Sequence, residues 1–108
     1  MMKKLDTPRP LTFREKQLLL GVLLDGAAGR IKSSQKLKEN PSKFISQIEN
    51  LQVKTYCDCG HSDCETVGFI DLEYYNTEVI AHGHLPDGRW IFVHVLEDTD
   101  QIVELEIV

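Results

Sequence analysis

Three cysteines and a histidine fall within eight consecutive positions, in the segment YCDCGHSDC at residues 56–64. Thiolate and imidazole groups bind Zn²⁺ in structural sites, which have four ligands at tetrahedral corners. Such sites usually take two pairs of ligands from separate segments, whereas here one loop would have to wrap around the ion. We therefore expect reduced structural cysteines and no cofactor. A zinc-binding structural or regulatory domain is the alternative, and its ligands would be Cys57, Cys59, His61 and Cys64.

Other catalytic chemistry has little basis in the sequence. An odd number of cysteines does not make a disulfide framework, and no helix start or obvious base adjoins any of the three thiols. His82 and His84 alternate on a predicted strand and could hold a metal or bracket a phosphate, which is the basis of a third hypothesis, a small enzyme. Phosphate-binding loops, dinucleotide fingerprints and Gly-x-Ser-x-Gly elbows are absent from the sequence. The sequence predicts that the protein is not an enzyme.

Two helices are predicted in the first half of the chain. Thr12 and Glu15 form a capping box, in which each side chain satisfies a free backbone N–H of the other residue. Leucines and valines at helical spacing follow, up to a Gly-Ala-Ala-Gly run, so the first helix is predicted over residues 13–25. An Asn-Pro pair at residues 40–41 suits the start of a second helix, whose apolar face would be formed within residues 44–51.

From residue 53 onward the apolar residues alternate with polar ones, as they do in β-strands. Short turns at residues 76–77, 86–88 and 98–100 would join the strands as an antiparallel meander. The predicted fold is α+β, with two N-terminal helices packed on one face of a four- or five-stranded antiparallel meander sheet. Residues 1–108 are predicted to form a single domain. The predicted strands are residues 53–57, 67–75, 79–85, 90–96 and 102–108.

Charge is distributed unevenly along the chain. Residues 1–54 contain 11 lysines and arginines against 5 acidic residues, which gives a net charge of +6. Residues 55–108 contain 12 acidic residues against Arg89 alone, which gives −11. A concentrated field of one sign attracts a partner of the opposite sign. Attraction between the two halves within the fold is the alternative explanation.

Strand alternation predicts where part of this acidic charge lies. In the last strand Val103, Leu105 and Ile107 face one way, and Glu104 and Glu106 face the other way beside Ile102 and Val108. In the second strand Val67 accompanies Asp71 and Glu73. If the helices cover the opposite set, the four carboxylates lie on an open sheet face that also carries apolar residues, as a binding surface for a basic protein would. The alternative is an ordinary solvated sheet face.

Nucleic acid and membranes are not expected as partners. Arg30, Lys32, Lys36 and Lys38 could form a basic patch, but the chain has a net charge of −5 and no aromatic residues are interleaved with these cations. The most apolar stretch, residues 18–24, is far shorter than the roughly 20 residues that span a bilayer. The start of the chain lacks the apolar run of a signal peptide, so a cytoplasmic location is expected.

The order of short motifs resembles that of a group of small bacterial domains. These begin with Arg-Pro-Leu-Thr-x-x-Glu, as at residues 9–15, and continue with a Leu-rich helix and a Gln-hydrophobic segment similar to residues 46–53. A Cys-x-Cys-Gly strand end similar to residues 57–60 follows, and the chain closes in Leu-Glu-Ile, as at residues 105–107. Some domains of this size and style look like immunity proteins of contact-dependent growth inhibition and related polymorphic toxin systems. The chain departs from the group at His61, where the group has a further cysteine.

The resemblance implies a cytoplasmic protein that binds and neutralises a toxin domain and needs no catalytic residues. Many such toxins are basic nucleases, so the acidic half would supply the complementary surface. The expected partner is therefore a basic toxin domain. The predicted partner-binding residues are Asp58, Asp63, Glu65, Asp71, Glu73, Glu97, Asp98, Asp100, Glu104 and Glu106.

Overall fold

A computed structural model describes residues 2–60, 64–71 and 76–108 of the chain. The strands within these ranges pair antiparallel in one sheet. They are β1 (Met2–Pro10), β2 (Lys32–Ser33), β3 (Gln52–Cys57), β4 (Val67–Gly68), β5 (Thr77–His84), β6 (Trp90–Leu96) and β7 (Ile102–Ile107). Their order across the sheet is β1-β3-β4-β7-β6-β5-β2. Helices pack against this sheet, so the predicted α+β class is confirmed.

The main helix, α1 (Phe13–Ala27), begins at the predicted capping box. The Glu15 N–H donates to Thr12 Oγ1 at 3.1 Å, and the Thr12 N–H donates to Glu15 Oε1 at 2.8 Å. Arg9 holds the same carboxylate with two hydrogen bonds of 2.9 and 3.0 Å. Leu19 and Leu23 are fully buried, which fixes the face that α1 presents to the sheet. The helix ends two residues beyond the predicted end.

The predicted second helix begins at the Asn-Pro pair as expected but is shorter, because α3 (Pro41–Ile45) ends at Ile45 and a 3₁₀ helix (Ile48–Asn50) follows it. A further short helix, α2 (Gln35–Glu39), precedes it. Asn40 separates α2 from α3 with an extended φ of −144°, since a residue before proline avoids the helical region. Gln47 then ties the chain to another segment, donating to the Asp100 carbonyl oxygen and accepting from the Ile102 N–H. None of the described helices has the length and apolar character needed to cross a bilayer.

The predicted meander is correct only for β5, β6 and β7. These strands are neighbours in the sheet, and turns near residues 86–88 and 97–99 connect them as expected. The predicted hairpin at residues 76–77 stays a prediction, and the described strand before it, β4, pairs with β3 and β7 and lies three places from β5. Only Val67–Gly68 of the predicted second strand is β-structure within the described residues, and residues 72–75 lie outside them.

Two edge strands raise the number of strands from the predicted four or five to seven. β1 is polar and carries Pro8 and Pro10, so its composition gave no strand signal. Proline is tolerated at a sheet edge, where its missing N–H breaks no ladder, and the register of β1 against β3 shifts between Lys4 and Arg9. β2 has only two residues, Lys32 opposite His82 and Ser33 opposite Ala81.

The two faces of the sheet differ sharply. On β6, Ile91, Val93 and Val95 are buried with Leu19 and Leu23 of α1 in one hydrophobic core. The alternate residues of β6 lie on the opposite side, which we call the outer face. This face is formed by Val79, His82, His84, Trp90, Phe92, His94, Glu104 and Glu106.

The predicted faces of β7 hold for Glu104 to Ile107 but fail for Ile102, which is buried in the core opposite Val95, and the predicted faces fail for β4. Leu105 is buried and lies opposite Val93, whereas Glu104 lies opposite His94 on the outer face. In β4 the assignment is reversed, because Val67 lies opposite Leu105 and Gly68 lies opposite Glu104. A side chain at position 68 would collide with Thr55 Oγ1, so the outer position of β4 has to be glycine. Strand alternation therefore does not put Asp71 beside Glu104.

Candidate functional sites

The three cysteines converge although the chain between them has to turn back. Cys57 ends β3, Cys59 follows it, and Cys64 precedes β4, which pairs with β3. All three sulfur atoms lie within 4.8 Å of one another. Zinc–sulfur bonds of about 2.3 Å in a tetrahedral site put ligand sulfurs roughly 4 Å apart, so this spacing fits a thiolate site. His61, the fourth candidate ligand, lies outside the described residues.

Local hydrogen bonds change the acidity of two of these thiols, Cys57 and Cys64, in opposite directions. Hydrogen bonds with Cys64 and Cys59 raise the pKa of the Cys57 thiol to about 11. A backbone hydrogen bond from Thr66 is the main cause that lowers the pKa of Cys64. A thiol with a pKa near 11 is protonated at neutral pH, and only the thiolate is a good nucleophile. Cys57 is therefore a poor nucleophile at neutral pH, whereas the spacing of the three sulfurs suits a metal ion, which would have to displace the thiol protons.

Four of the predicted partner-binding acids are neutralised by cations of the first half. Asp58 pairs with Lys3 at 2.8 Å and Asp71 with Lys4 at 3.6 Å, both at the β1 edge. The other two are Glu65, which Arg14 and Arg89 hold, and Asp100, which Lys36 and Lys43 hold. We call Asp58, Glu65, Asp71 and Asp100 the paired group.

Glu65 and Asp100 each connect segments that are distant in sequence. Arg14 from α1 grips Glu65 with two hydrogen bonds of 2.6 and 2.8 Å, and Arg89 adds a contact of 2.8 Å. These contacts lower the pKa of Glu65 to about 2. Lys43 and Lys36 contact the two oxygens of Asp100 at 2.8 and 2.9 Å and lower the pKa of this carboxyl too. Much of the acidic charge therefore joins the two halves of the fold.

The carboxylates of four other predicted acids contact no lysine or arginine side chain within the part of the chain that the structure describes, although Lys36 Nζ donates to the backbone carbonyl oxygen of Glu97 at 3.4 Å. Glu97 and Asp98 are exposed in the turn between β6 and β7, and Glu104 and Glu106 lie on the outer face. We call Glu97, Asp98, Glu104 and Glu106 the acidic patch. The remaining two predicted residues, Asp63 and Glu73, lie outside the described residues.

His94 is the nearest partner of the two outer-face glutamates. Its Nε2 atom lies 2.8 Å from Glu106 Oε1 and 3.8 Å from Glu104 Oε2. Burial raises the pKa of Glu104, and the neighbouring Glu106 adds to this effect while His94 opposes it. One imidazole thus faces two carboxylates, and the cluster keeps an excess of negative charge in either protonation state of His94. Its three ligand atoms lie within 4.8 Å of one another, so they could also hold a cation.

A row of rings crosses the outer face beside these carboxylates. Trp90 and Phe92 are stacked at 5.7 Å between ring centroids, and His84 lies 3.8 Å from Trp90. His82 lies between the two aromatic rings, at 6.0 Å from Trp90 and 5.5 Å from Phe92. Trp90 is 43% exposed, which is unusual for the largest apolar side chain. The sequence signal was the alternation of Trp90, Phe92 and His94, which predicts a shared face but not its exposure.

No protein-family model, curated protein sequence or solved structure matches the chain. The function therefore has to be argued from the residues themselves.

Proposed function

We propose that the protein is an immunity protein that binds and neutralises a basic toxin domain through the acidic patch. The observation that carries this proposal is the pair Glu104 and Glu106, two carboxylates on the outer face that contact only one imidazole among the described groups. Glu97 and Asp98 add exposed charge of the same sign at the neighbouring turn. An arginine or lysine of a partner would neutralise the negative charge that the described part of the fold leaves on these carboxylates.

The partial burial of Glu104 makes it the centre of this surface. A carboxylate that is already partly removed from water loses less hydration when a partner covers it, and its attraction to an arriving cation is less screened. Val79 lies opposite His94 and is 38% exposed, so it offers apolar contact next to the charge. Interfaces with an apolar centre and complementary charges at the rim combine affinity with fast, salt-sensitive association.

The experiment is a binding measurement against the C-terminal domain encoded by the adjacent upstream gene, which the proposal requires to be toxin-like. We expect Kd to rise with salt, and the double variant Glu104→Lys/Glu106→Lys to weaken binding by at least about tenfold. Glu39→Lys/Glu49→Lys is the charge-matched control, since both residues are exposed and lie in α2 and the 3₁₀ helix outside the acidic patch. Affinity that is indifferent both to salt and to the double variant would refute the electrostatic surface. An upstream gene without such a domain would remove the assigned partner.

The convergence of three thiols favours a second candidate function, a zinc centre. Cys57, Cys59 and Cys64 would be ligands, with His61 as the candidate fourth, and the bound ion would tie the end of β3 to the segment before β4. Because the ligands must lose their protons, bound zinc would add its binding free energy to folding. Such a centre would be structural and is compatible with the immunity function.

Elemental analysis of the purified protein tests this centre directly. We expect about one zinc per chain in the wild type, and its loss with a lower Tm in Cys57→Ser, Cys64→Ser and His61→Asn. His84→Asn is the control for adventitious binding by surface histidines. A zinc content below about a tenth of an equivalent in the wild type would exclude the zinc centre.

A further inference from the structure

A second feature of the outer face lies at the edge of the sheet. A groove of about 770 Å³ runs between the segment that follows α1, the helix α2 and the ends of β5 and β6. Its volume lies in the range of small-molecule sites, roughly 300–1,000 Å³. Arg30, Lys32 and Lys38 line one side, and His82, His84 and Trp90 line the other. None of these six residues belongs to the acidic patch.

The basic side of the groove is held in place by buried neighbours. Lys32 lies in β2 directly opposite His82, and the next residue, Ser33, donates a 2.7 Å hydrogen bond to the Gly26 carbonyl oxygen at the end of α1. Lys38 lies in α2, which is anchored by the fully buried Leu37. The two lysines are therefore carried by fixed backbone, although their side chains are exposed.

These two lysines carry charge that the described part of the fold does not neutralise. Neither Lys32 nor Lys38 contacts a carboxylate among the described residues, in contrast to Lys3, Lys36 and Lys43. Arg30 reaches Asp25 at 3.2 Å, but its side chain remains 72% exposed. In a chain whose net charge is −5, this concentration of free cations marks a site for an anion.

The opposite side of the groove offers a surface for an aromatic ring. Trp90 is 43% exposed, and His84 and His82 flank it at centroid distances of 3.8 and 6.0 Å. Exposed aromatic rings stack on nucleobases, and imidazoles supply hydrogen-bond donors. Ile31 packs against Gly83 between the two sides, with its Cγ2 atom 3.2 Å from where a Cβ of residue 83 would lie. Glycine at this position therefore lets the basic segment approach the ring-bearing strand.

We propose that this groove binds a nucleoside phosphate, with the base stacked on Trp90 and the phosphate held by Lys32 and Lys38. The sequence argued against such a ligand because no aromatic residue accompanies the basic stretch. The fold supplies that residue from the other half of the chain. A free mononucleotide and one unit of a single-stranded nucleic acid share this chemistry. The inference goes beyond the proposed immunity function and does not depend on it.

The single tryptophan of the chain makes the experiment direct, because its fluorescence reports on this groove alone. The titrants are AMP, a short oligothymidylate, inorganic phosphate and a polyglutamate peptide. We expect saturable quenching by AMP or the oligothymidylate, little by phosphate or polyglutamate, and weaker binding at higher salt. Tighter binding of the oligothymidylate would identify single-stranded nucleic acid as the source, and similar affinities would identify free nucleotides.

Variants separate the two sides of the groove. Lys32→Glu/Lys38→Glu should weaken AMP or oligothymidylate binding by about tenfold or more, whereas the charge-matched Lys16→Glu/Lys54→Glu should change it far less. Trp90→Ala, followed by calorimetry, should cost about tenfold by removing the stacking surface. Three results would overturn the proposal: no binding of either nucleotide probe, equal binding of phosphate or polyglutamate, or equal weakening in both lysine double variants.

Discussion

The acidic residues of the second half fall into two groups, which differ in whether their carboxylates form salt bridges within the fold. The carboxylates of the paired group form salt bridges with cations of the first half. Glu65 pairs with Arg14, and Asp100 pairs with Lys36 and Lys43. The carboxylates of the acidic patch contact no lysine or arginine among the described residues, although they belong to the same residue types. This difference shows that the net charge of −11 over the second half of the chain overstates the negative charge that the surface offers to a partner. Only the carboxylates that the fold leaves uncompensated can attract a partner.

The cations divide in the same way. Lys36 and Lys43 are held at Asp100, whereas Lys32 and Lys38 face the groove without a carboxylate among the described residues. The outer face consequently carries negative charge around Glu104 and positive charge at the β2 edge, with the ring row between them. The comparison of paired and uncompensated charges predicts opposite responses to substitution, in folding stability for the first and in binding for the second.

The largest effect on stability is expected at Glu65. Its pKa is lowered to about 2 from an ordinary value of 4.5, so it stabilises the fold fully above pH 4.5 and loses this contribution as pH falls toward 2. Because its side chain is 30% exposed, we discount the full linkage value for solvent screening. Glu65→Gln should lower the unfolding free energy at pH 7 by about 2 kcal/mol. Urea denaturation at several pH values measures it.

The control for this prediction lies in the same curves. The difference in stability between wild type and Glu65→Gln should shrink steadily as pH falls toward 2, where the wild-type carboxyl is about half protonated. If the unfolding free energies of wild type and Glu65→Gln ran parallel from pH 7 to pH 2, the ion pairs with Arg14 and Arg89 would contribute nothing to stability. Glu65 would then not belong to the paired group.

Asp100 should give a smaller effect of the same sign. It has a φ of 59°, in the left-handed region that asparagine tolerates, so Asp100→Asn removes the charge without adding backbone strain. We expect a loss of about 1 kcal/mol at pH 7, because Lys36 and Lys43 would keep only a neutral partner. Its lowered pKa means that this difference shrinks as pH falls below the ordinary value. Asp98→Asn, at an exposed neighbour, is the control, and an equal loss there would contradict the assignment.

Local patterns predicted the parts of the fold that depend on neighbouring residues. The capping box at Thr12 and Glu15 fixed the start of α1, and the alternation from Trp90 to Leu96 matched β6 without error. Turn residues 86–88 located the hairpin between β5 and β6. These features succeeded because a few adjacent side chains decide them.

Features that depend on distant residues could not be predicted in this way. β1 became a strand because β3 offers an edge, although its own composition is polar, and β4 took its faces from its register against Leu105. The same limit applied to the sites. The pairing of Glu65 with Arg14, 51 positions away, and the presence of Trp90 and Lys32 in one groove at the sheet edge both depend on strand order. The alternation of residues in the sequence predicts which side chains share a face of a strand, but it does not predict which other segment of the chain contacts that face.

At Glu104 of the acidic patch, replacing the carboxylate by an amide should stabilise the fold, in contrast to the loss of stability expected at Glu65 and Asp100. Burial raises the pKa of Glu104, so the folded state disfavours its charged form, and this cost is present at pH 7. Glu104→Gln should therefore raise the unfolding free energy at pH 7 by about 0.5 kcal/mol, with the gain disappearing below the ordinary pKa of 4.5. Thermal denaturation at pH 7 and pH 4 measures the difference. A loss of stability at pH 7 would show that His94 compensates Glu104 fully and would place this residue in the paired group.

The smallest effect is expected at Glu97, whose carboxylate is exposed in the turn after β6. Glu97→Gln should change the unfolding free energy by less than about 0.5 kcal/mol at any pH, since no cation of the described fold depends on it. The same variant should slow association with a basic partner, because steering depends on total charge rather than on contact. Denaturation and stopped-flow association on one preparation test both statements. A stability loss approaching that of Glu65→Gln would erase the distinction between charges that hold the fold and charges that are free to bind.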